Sequence, residues 1–372
     1  MTRIVVCANN IDELGGAQRV VRVLAQGFHD RGHDVTAIGV TPFEPAHAFA
    51  GDYATRVLMS EVWPKKSTQT ERVRANLRKE AVANMAEVLR SAGGEQSIII
   101  TAQVWAMEIL ADALASVSPD VRASWTVIGQ YHGAYAAAAS GRDLDRILRS
   151  YGPVSVFTAL TAEDGAAFTS AGLNNVVAMP NPLAFWPDGV AEPVGEDRSL
   201  VYLGRLSQEK GVDLLIDAWS LIADSHPRWR LQIVGDGPER HALQMQAGDL
   251  AGSDRIDWQE VTADPGAVLA DASLLVLPSR TEGLPLVLAE AQAYGVPVIA
   301  TDCSSGVREL VGDWGMLTPR GDSRALARSL DAAMSDVAWR ASSGARGRQE
   351  MERYRLETVL DEWDVVIQRA LR

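Results

Sequence analysis

The sequence predicts an α/β protein built from two doubly wound units, and three observations predict it. At 372 residues the chain exceeds one ordinary core and suits about two domains of roughly 150 to 200 residues. Short apolar runs alternate with segments of helical period, twice over, and the order strand, helix, strand implies parallel pairing. Between the two series stand residues 179–197, MPNPLAFWPDGVAEPVGED, rich in Pro and poor in helix signal, which read as a linker. The expected domains are 1–182 and 183–353. A last apolar-periodic segment, 354–372, follows the second unit, and a return to the first domain is open to it.

Residues 3–8, RIVVCA, read as a buried strand, and the helix after it places Val20, Val21, Leu24 and Phe28 on one face until Gly32 stops it. DVTAIGV is the next strand. The alternation recurs through SIII, WTVIG and VSVFTAL, with helical segments over 104–117 and 161–171. The second series opens at SLVYLGRLSQEKGVDLLIDAWSLIA and continues through RLQIVGDGPER, SLLVLPS and VPVIATD. In SRTEGLPLVLAEAQAYGVPV, Pro285 suits a helix start and no breaker intervenes before Gly295, so Glu282 is expected on a loop and Glu290 within the helix. A ligand is expected in the cleft between the two units, at the carboxyl ends of strands.

Hydrophobic content of 47% and charged content of 22% are those of a soluble globular chain. Two cysteines far apart, Cys7 and Cys303, read as reduced thiols of a cytoplasmic protein and not as metal ligands. The first apolar run is too short for a signal peptide, and no stretch reaches transmembrane length without charges. Net charge is −13, unevenly spread: residues 1–180 carry 16 basic and 18 acidic side chains, and residues 181–372 carry 19 and 30. Affinity for phosphate backbones comes from Lys and Arg, so a nucleic-acid partner is set aside.

Four places put glycines or polar residues just after a predicted strand. Gly15 and Gly16 let a backbone approach a ligand at a helix start, although a plain tight turn needs them equally. Neither that loop nor VGDGPER completes Gly-x-Gly-x-x-Gly, which argues against a dinucleotide site. Arg205 and Lys210, with Gly204 beside them, suit a diphosphate clamp or a solvated basic pair. His132 follows a strand and precedes a glycine; by itself it fits a structural histidine as well as a functional one. Glu290 is open to two readings. As a buried carboxylate it needs a partner, since leaving it unpaired costs on the order of several kcal/mol; otherwise it is the solvated edge of a half-buried helix.

Taken together, GGAQRVV, LGRLSQEKG, IVGDGPE and VLPSRTEGLPLVLAEAQAYGVPVIATD resemble the retaining, nucleotide-sugar-dependent glycosyltransferases of the fourth glycosyltransferase family, the glycosyl transferases group 1. The resemblance covers about residues 3 to 335 and rests on the Glu-x7-Glu pair, Glu282 and Glu290. It implies the glycosyltransferase B fold, two Rossmann-like domains facing a central cleft, with the acceptor bound by the first and the nucleotide sugar by the second. It further implies that Glu282 contacts the transferred sugar, that Gly283 and Leu284 offer backbone N–H groups to the donor phosphate, and that Glu290 holds the ribose. Arg205 and Lys210 would bind the diphosphate, Gly16 would leave room for it, and His132 would reach the donor sugar. No metal is expected. The transfer is expected to proceed by front-face attack, with the departing phosphate oxygen taking the acceptor proton.

Two departures stand out. Glu260 occupies the position of a common glycine in RIDWQEVTADPG, and TDCSSGVREL carries Ser304 and Val307 where a subgroup that often uses UDP-sugars has prolines. A UDP-sugar is the expected co-substrate, with GDP the alternative. A nucleotide-sugar epimerase, a sugar phosphorylase and a non-catalytic sugar-binding subunit remain as rival readings. Finally, residues 61–80 hold six basic and three acidic side chains. Lys65, Lys66, Arg72, Arg74, Arg78 and Lys79 read either as a solvated face or as a patch that recruits a lipid-linked or phosphate-bearing glycan acceptor at the inner face of a membrane.

Overall fold

A computed structural model describes residues 2–371 except 14, 45–50, 92–95, 142, 192–197 and 249. The chain divides into two compact units, Met1–Ala184 with Leu356–Arg372, and Phe185–Arg355. Of the linker segment, residues 179–191 hold neither helix nor strand, and 192–197 lie outside the described residues.

The first unit runs β1 (Arg3–Ala8), α1 (Gly16–Asp30), β2 (Asp34–Gly39), β3 (Ala54–Val57), α2 (Glu71–Arg90), β4 (Ser97–Thr101), α3 (Val104–Ser116), α4 (Pro119–Ala123), β5 (Trp125–Gln130), α5 (Tyr135–Ser140), α6 (Asp143–Tyr151), β6 (Val156–Ala159), α7 (Ala162–Ser170) and β7 (Val176–Ala178). Its sheet has the order β3-β2-β1-β4-β5-β6-β7, all parallel. Helices cover both faces of such a sheet, so the central strands are apolar on both sides, and every residue of β4 and β5 is buried. Each fully buried Ile there, such as Ile98 or Ile100, contributes about 1.5–3 kcal/mol relative to exposure. The edge strand β3 is exposed throughout, which is why its residues carry no apolar signature.

The second unit runs β8 (Arg198–Leu203), α8 (Val212–Ile222), β9 (Trp229–Val234), α9 (Arg240–Gly248), β10 (Ile256–Gln259), α10 (Pro265–Ala270), β11 (Leu274–Leu277), α11 (Leu286–Ala293), β12 (Val298–Thr301), α12 (Ser305–Val311), β13 (Met316–Thr318), α13 (Ser323–Ser335) and α14 (Val337–Met351). Its parallel sheet has the order β10-β9-β8-β11-β12-β13.

The last helix, α15 (Leu356–Ala370), groups with the first unit and packs on α1. Its Val359, Leu360, Trp363 and Ile367 are buried, and Trp363 meets Phe28 edge-on at 6.0 Å. Arg31 at the end of α1 pairs with Asp364 (2.5 Å), Asp361 (2.7 Å) and Glu357 (3.3 Å). The carboxylates are exposed, so each pair contributes about 0.2–1 kcal/mol and the apolar face supplies most of the attachment.

Candidate active site

In the second unit the strand order reverses between β8 and β11, so the loops after these strands flank the crevice where open α/β sheets take ligands. The first loop carries Gly204, Arg205 and Lys210. The Tyr202 hydroxyl donates to the Arg205 carbonyl over 2.8 Å. The loop after β9 is laid against it: the Leu206 amide donates to the Asp236 carbonyl (2.8 Å) and the Glu239 amide to the Leu206 carbonyl (3.0 Å). Gly235, at φ 141°, would bring a Cβ to 2.0 Å from the Gly204 carbonyl oxygen. The glycines of VGDGPER therefore serve loop packing, and Arg205 stays exposed on top.

The second loop joins the first through a charge contact. Lys210 Nζ donates to Glu282 Oε1 over 2.8 Å, and the Ser279 hydroxyl donates to the same oxygen over 2.7 Å. The Glu282 side chain is 9% exposed and that of Lys210 27%. Thr301, at the end of β12, donates its hydroxyl to the Ser279 carbonyl. Gly283 and Leu284 follow on the same loop; the Gly283 carbonyl accepts from Ser304 (3.1 Å), and Leu284 is buried. Pro285 stands at the N-cap of α11 and gives no side-chain cap to its first amides.

Sequence reasoning missed the residues that hold these loops together. The Arg280 amide donates to the Glu209 carbonyl (2.7 Å), and its guanidinium donates to the Gln208 carbonyl (2.8 Å) and to both oxygens of Asp213 (2.8 and 2.6 Å). Gly211, at φ 68°, would place a Cβ 2.1 Å from the Pro278 carbonyl oxygen. Arg280 lies in the same run as Glu282, but nothing local says that its partner is Asp213. Gln292, 1% exposed, was also missed. Its Nε2 donates to the Leu288 (3.1 Å) and Leu310 (2.8 Å) carbonyls and its Oε1 accepts the Trp314 indole N–H, tying α11 to α12.

Glu290 is 5% exposed in a helix whose Leu288, Ala289, Ala291 and Ala293 are also buried. The solvated-edge reading of this residue is therefore excluded. Glu260, at the common glycine position, is exposed and pairs with Arg240 at 3.1 Å.

The charges around the two loops are partly set by neighbours. The Ser207 hydroxyl holds the Glu209 carboxyl below its ordinary range, and Arg280 does the same for Asp213. Burial, with the charge of Glu282 adding to it, pushes the Cys303 thiol up to about 11, so it stays protonated near neutral pH.

In the first unit Gly15 and Gly16 open α1. The Gln18 carboxamide folds back over Gly15 and donates to Asn10 and Glu13, both at 3.1 Å; Gly16 has nothing within 4 Å of an added Cβ. His132 follows β5. Both of its ring nitrogens are closed off from solvent, and burial pushes its pKa down to about 4, so the imidazole is neutral near neutral pH. Of the six basic residues, Lys65, Lys66, Arg72 and Lys79 are exposed. Arg74 instead lies over the Trp63 ring at 4.5 Å, and Arg78 pairs with Asp112 at 2.7 Å. Among the described residues no helix is long and apolar enough to cross a membrane.

Residues 197–336 match the family model of the glycosyl transferases group 1. An uncharacterized glycosyltransferase of Haemophilus influenzae is 26% identical over 367 residues, 96% of this chain and 98% of that one. The stretch 197–336 lies within the second unit, and it is this unit that resembles the group 1 glycosyl transferases. A second relative, the amylovoran biosynthesis glycosyltransferase AmsD of Erwinia amylovora, is 22% identical over 99% of this chain and 100% of its own. The crystal structure of Anabaena HepE in complex with UDP and glucose superimposes with a TM-score of 0.77 at 18% identity, covering 98% of this chain and 99% of that one. The chain thus has the glycosyltransferase B fold expected from its sequence.

Proposed function

We propose that this enzyme moves a hexose from a UDP-sugar to a hydroxyl of a glycan or lipid-linked acceptor in cell-envelope polysaccharide synthesis, with retention and without a metal ion. The observation that carries the reading is the Lys210–Glu282 contact, which sets a cation and a carboxylate at one spot on the two switch-point loops. A sugar bound through a diphosphate needs that pair: a cation for the bridging phosphate and an acceptor for sugar hydroxyls.

In this reading Arg205 and Lys210 neutralise the charge that grows on the leaving diphosphate, assisted by the Gly283 and Leu284 amides. Glu282 holds the hexose and the buried Glu290 holds the ribose. Gly16 and Gly204 keep backbone low where the diphosphate lies, Gly15 being covered by the Gln18 carboxamide, and neutral His132 stands beside the sugar. The bond from the anomeric carbon to the phosphate oxygen breaks, and the acceptor oxygen bonds to the same face. The acceptor's proton passes to the departing phosphate oxygen, and UDP leaves. The UDP assignment is supported by HepE, which binds UDP and glucose, and the polysaccharide assignment by AmsD. Lys65, Lys66, Arg72 and Lys79 are free to meet an anionic surface that presents the acceptor, with Arg74 and Arg78 behind them.

A screen of nucleotide sugars for slow hydrolysis without acceptor, followed by NMR of the released sugar, tests the reading. UDP-sugar cleavage that persists in EDTA and first yields the donor's own anomer is expected. A strict need for a divalent ion, an inverted anomer or a preference for GDP-sugars overturns the corresponding part.

A further inference from the structure

A cavity lies wholly within the first unit, and of the residues that line it only His132 enters the donor reading. It measures about 310 Å³ and is lined by Asn9, Gln103, Trp105, Tyr131, Asp143 and Arg146, with His132 in its wall. These residues stand after β1, β4 and β5 and at the starts of α3 and α6, beside the point between β1 and β4 where this sheet reverses its strand order. The volume is at the small end of ligand pockets, roughly 300–1,000 Å³, which suits one ring and not an extended chain.

The charges in the cavity are committed to one another and leave it net negative. Arg146 donates to both oxygens of Glu108 (2.9 and 3.1 Å) and to Asp143 (2.8 Å), so the one guanidinium answers two carboxylates. His132 is neutral near neutral pH, and burial with two nearby carboxylates pushes Tyr131 up to about 12, leaving it a phenol. A phosphate or a uronate entering here meets a net negative site with its cation already committed. The remaining groups suit hydroxyls. The Gln103 carboxamide oxygen takes the Asn9 amide (2.8 Å) and the Asn9 side-chain oxygen takes the Ala106 amide (3.2 Å), so both NH₂ groups are left as donors.

One wall is aromatic and stiff. Trp105 packs on Trp63 with ring centroids 4.8 Å apart, and Arg74 covers Trp63 from 4.5 Å. Tyr131 is held edge-on by Phe168 at 5.8 Å. A fixed apolar ring beside fixed hydrogen-bond donors matches a pyranose, which presents C–H faces and a rim of hydroxyls.

We infer that this cavity is the subsite for one uncharged hexopyranose ring of the acceptor, with Trp105 as its stacking wall. The inference rests on the transferase reading and names the part of the acceptor next to the reaction. It also gives Arg74 a different task from the one its sequence suggested: it braces the aromatic wall and does not meet an anion.

Saturation-transfer NMR with a panel of methyl hexopyranosides, set against glucose 1-phosphate and a methyl uronide, tests this without donor present. Neutral glycosides should bind, the charged sugars at least about tenfold more weakly. Trp105→Ala should lose the neutral ligand, while Trp105→Phe keeps most of it. Asp143→Asn, which leaves the aromatic wall in place, should raise the affinity for glucose 1-phosphate. Charged sugars binding as well as neutral ones, absence of neutral binding, or parental discrimination in Asp143→Asn would overturn the assignment. UDP binding is recorded on the same samples. A protein that binds UDP but no neutral glycoside sinks the cavity assignment alone, and one that binds glycosides but not UDP sinks the donor reading alone.

Discussion

Lys210 and Glu282, 72 positions apart, meet at 2.8 Å, and the Ser279 hydroxyl holds the same carboxylate oxygen from the other side at 2.7 Å. Each charge is the other's partner. In the proposed function a sugar diphosphate divides them, drawing the ammonium to phosphate and leaving the carboxylate for hydroxyls.

The two halves of that pair should fail differently. Lys210→Ala is expected to lower kcat by on the order of 10²-fold, the loss that its proposed action on the leaving group in the transition state requires. Glu282→Ala should abolish transfer while UDP binding by calorimetry changes little. Parallel losses of UDP affinity in both variants would contradict the division of roles.

Glu290 sits 5% exposed on α11 and is expected to hold the ribose. Glu290→Ala should therefore weaken UDP binding by about tenfold or more, the scale of a hydrogen bond to a charged group. A deoxyribose analogue of UDP should lose less in the variant than in the parent; an unchanged preference for the ribose counts against the contact.

Two glycines should separate function from folding. Gly16 opens α1 with space around it, so Gly16→Val should unfold in urea at nearly the parental midpoint and yet raise the donor KM. Gly211→Ala is expected to cost stability first, about 1–2 kcal/mol for the left-handed backbone alone, before the close approach to Pro278 is counted. Parental donor kinetics in Gly16→Val would show that the open space there is not used.

Burial of His132 makes a pH prediction. Its pKa is pushed down to about 4 in the folded chain, so between the ordinary value near 6.5 and 4 the unfolded state binds a proton that the native state refuses. The contribution of this residue is fully present above about pH 6.5 and declines as pH falls through that window. Urea midpoints of the parent should drop over this range more steeply than those of His132→Gln; parallel curves for the two proteins would refute the buried-neutral assignment.

The alternation of strands and helices was legible because strands buried on both faces, such as β4 and β5, read as continuous apolar runs, and because α1 and α3 keep their period over several turns. β3, β7, β10 and β13 were not legible: they are short, and only the neighbouring strand makes them strands. The chemistry-bearing residue types could be picked out after predicted strands, since a doubly wound sheet puts its ligand loops there. What only the tertiary structure decided is which of them meet. The adjacency of β8 and β11 brings Lys210 to Glu282 and Asp213 to Arg280, the α15 face settles on α1, and Trp63 closes behind Trp105. Local sequence sets periodicity through backbone sterics and side-chain burial over a few residues. A contact across 72 positions depends on the order in which strands pair, and that order is a property of the whole core.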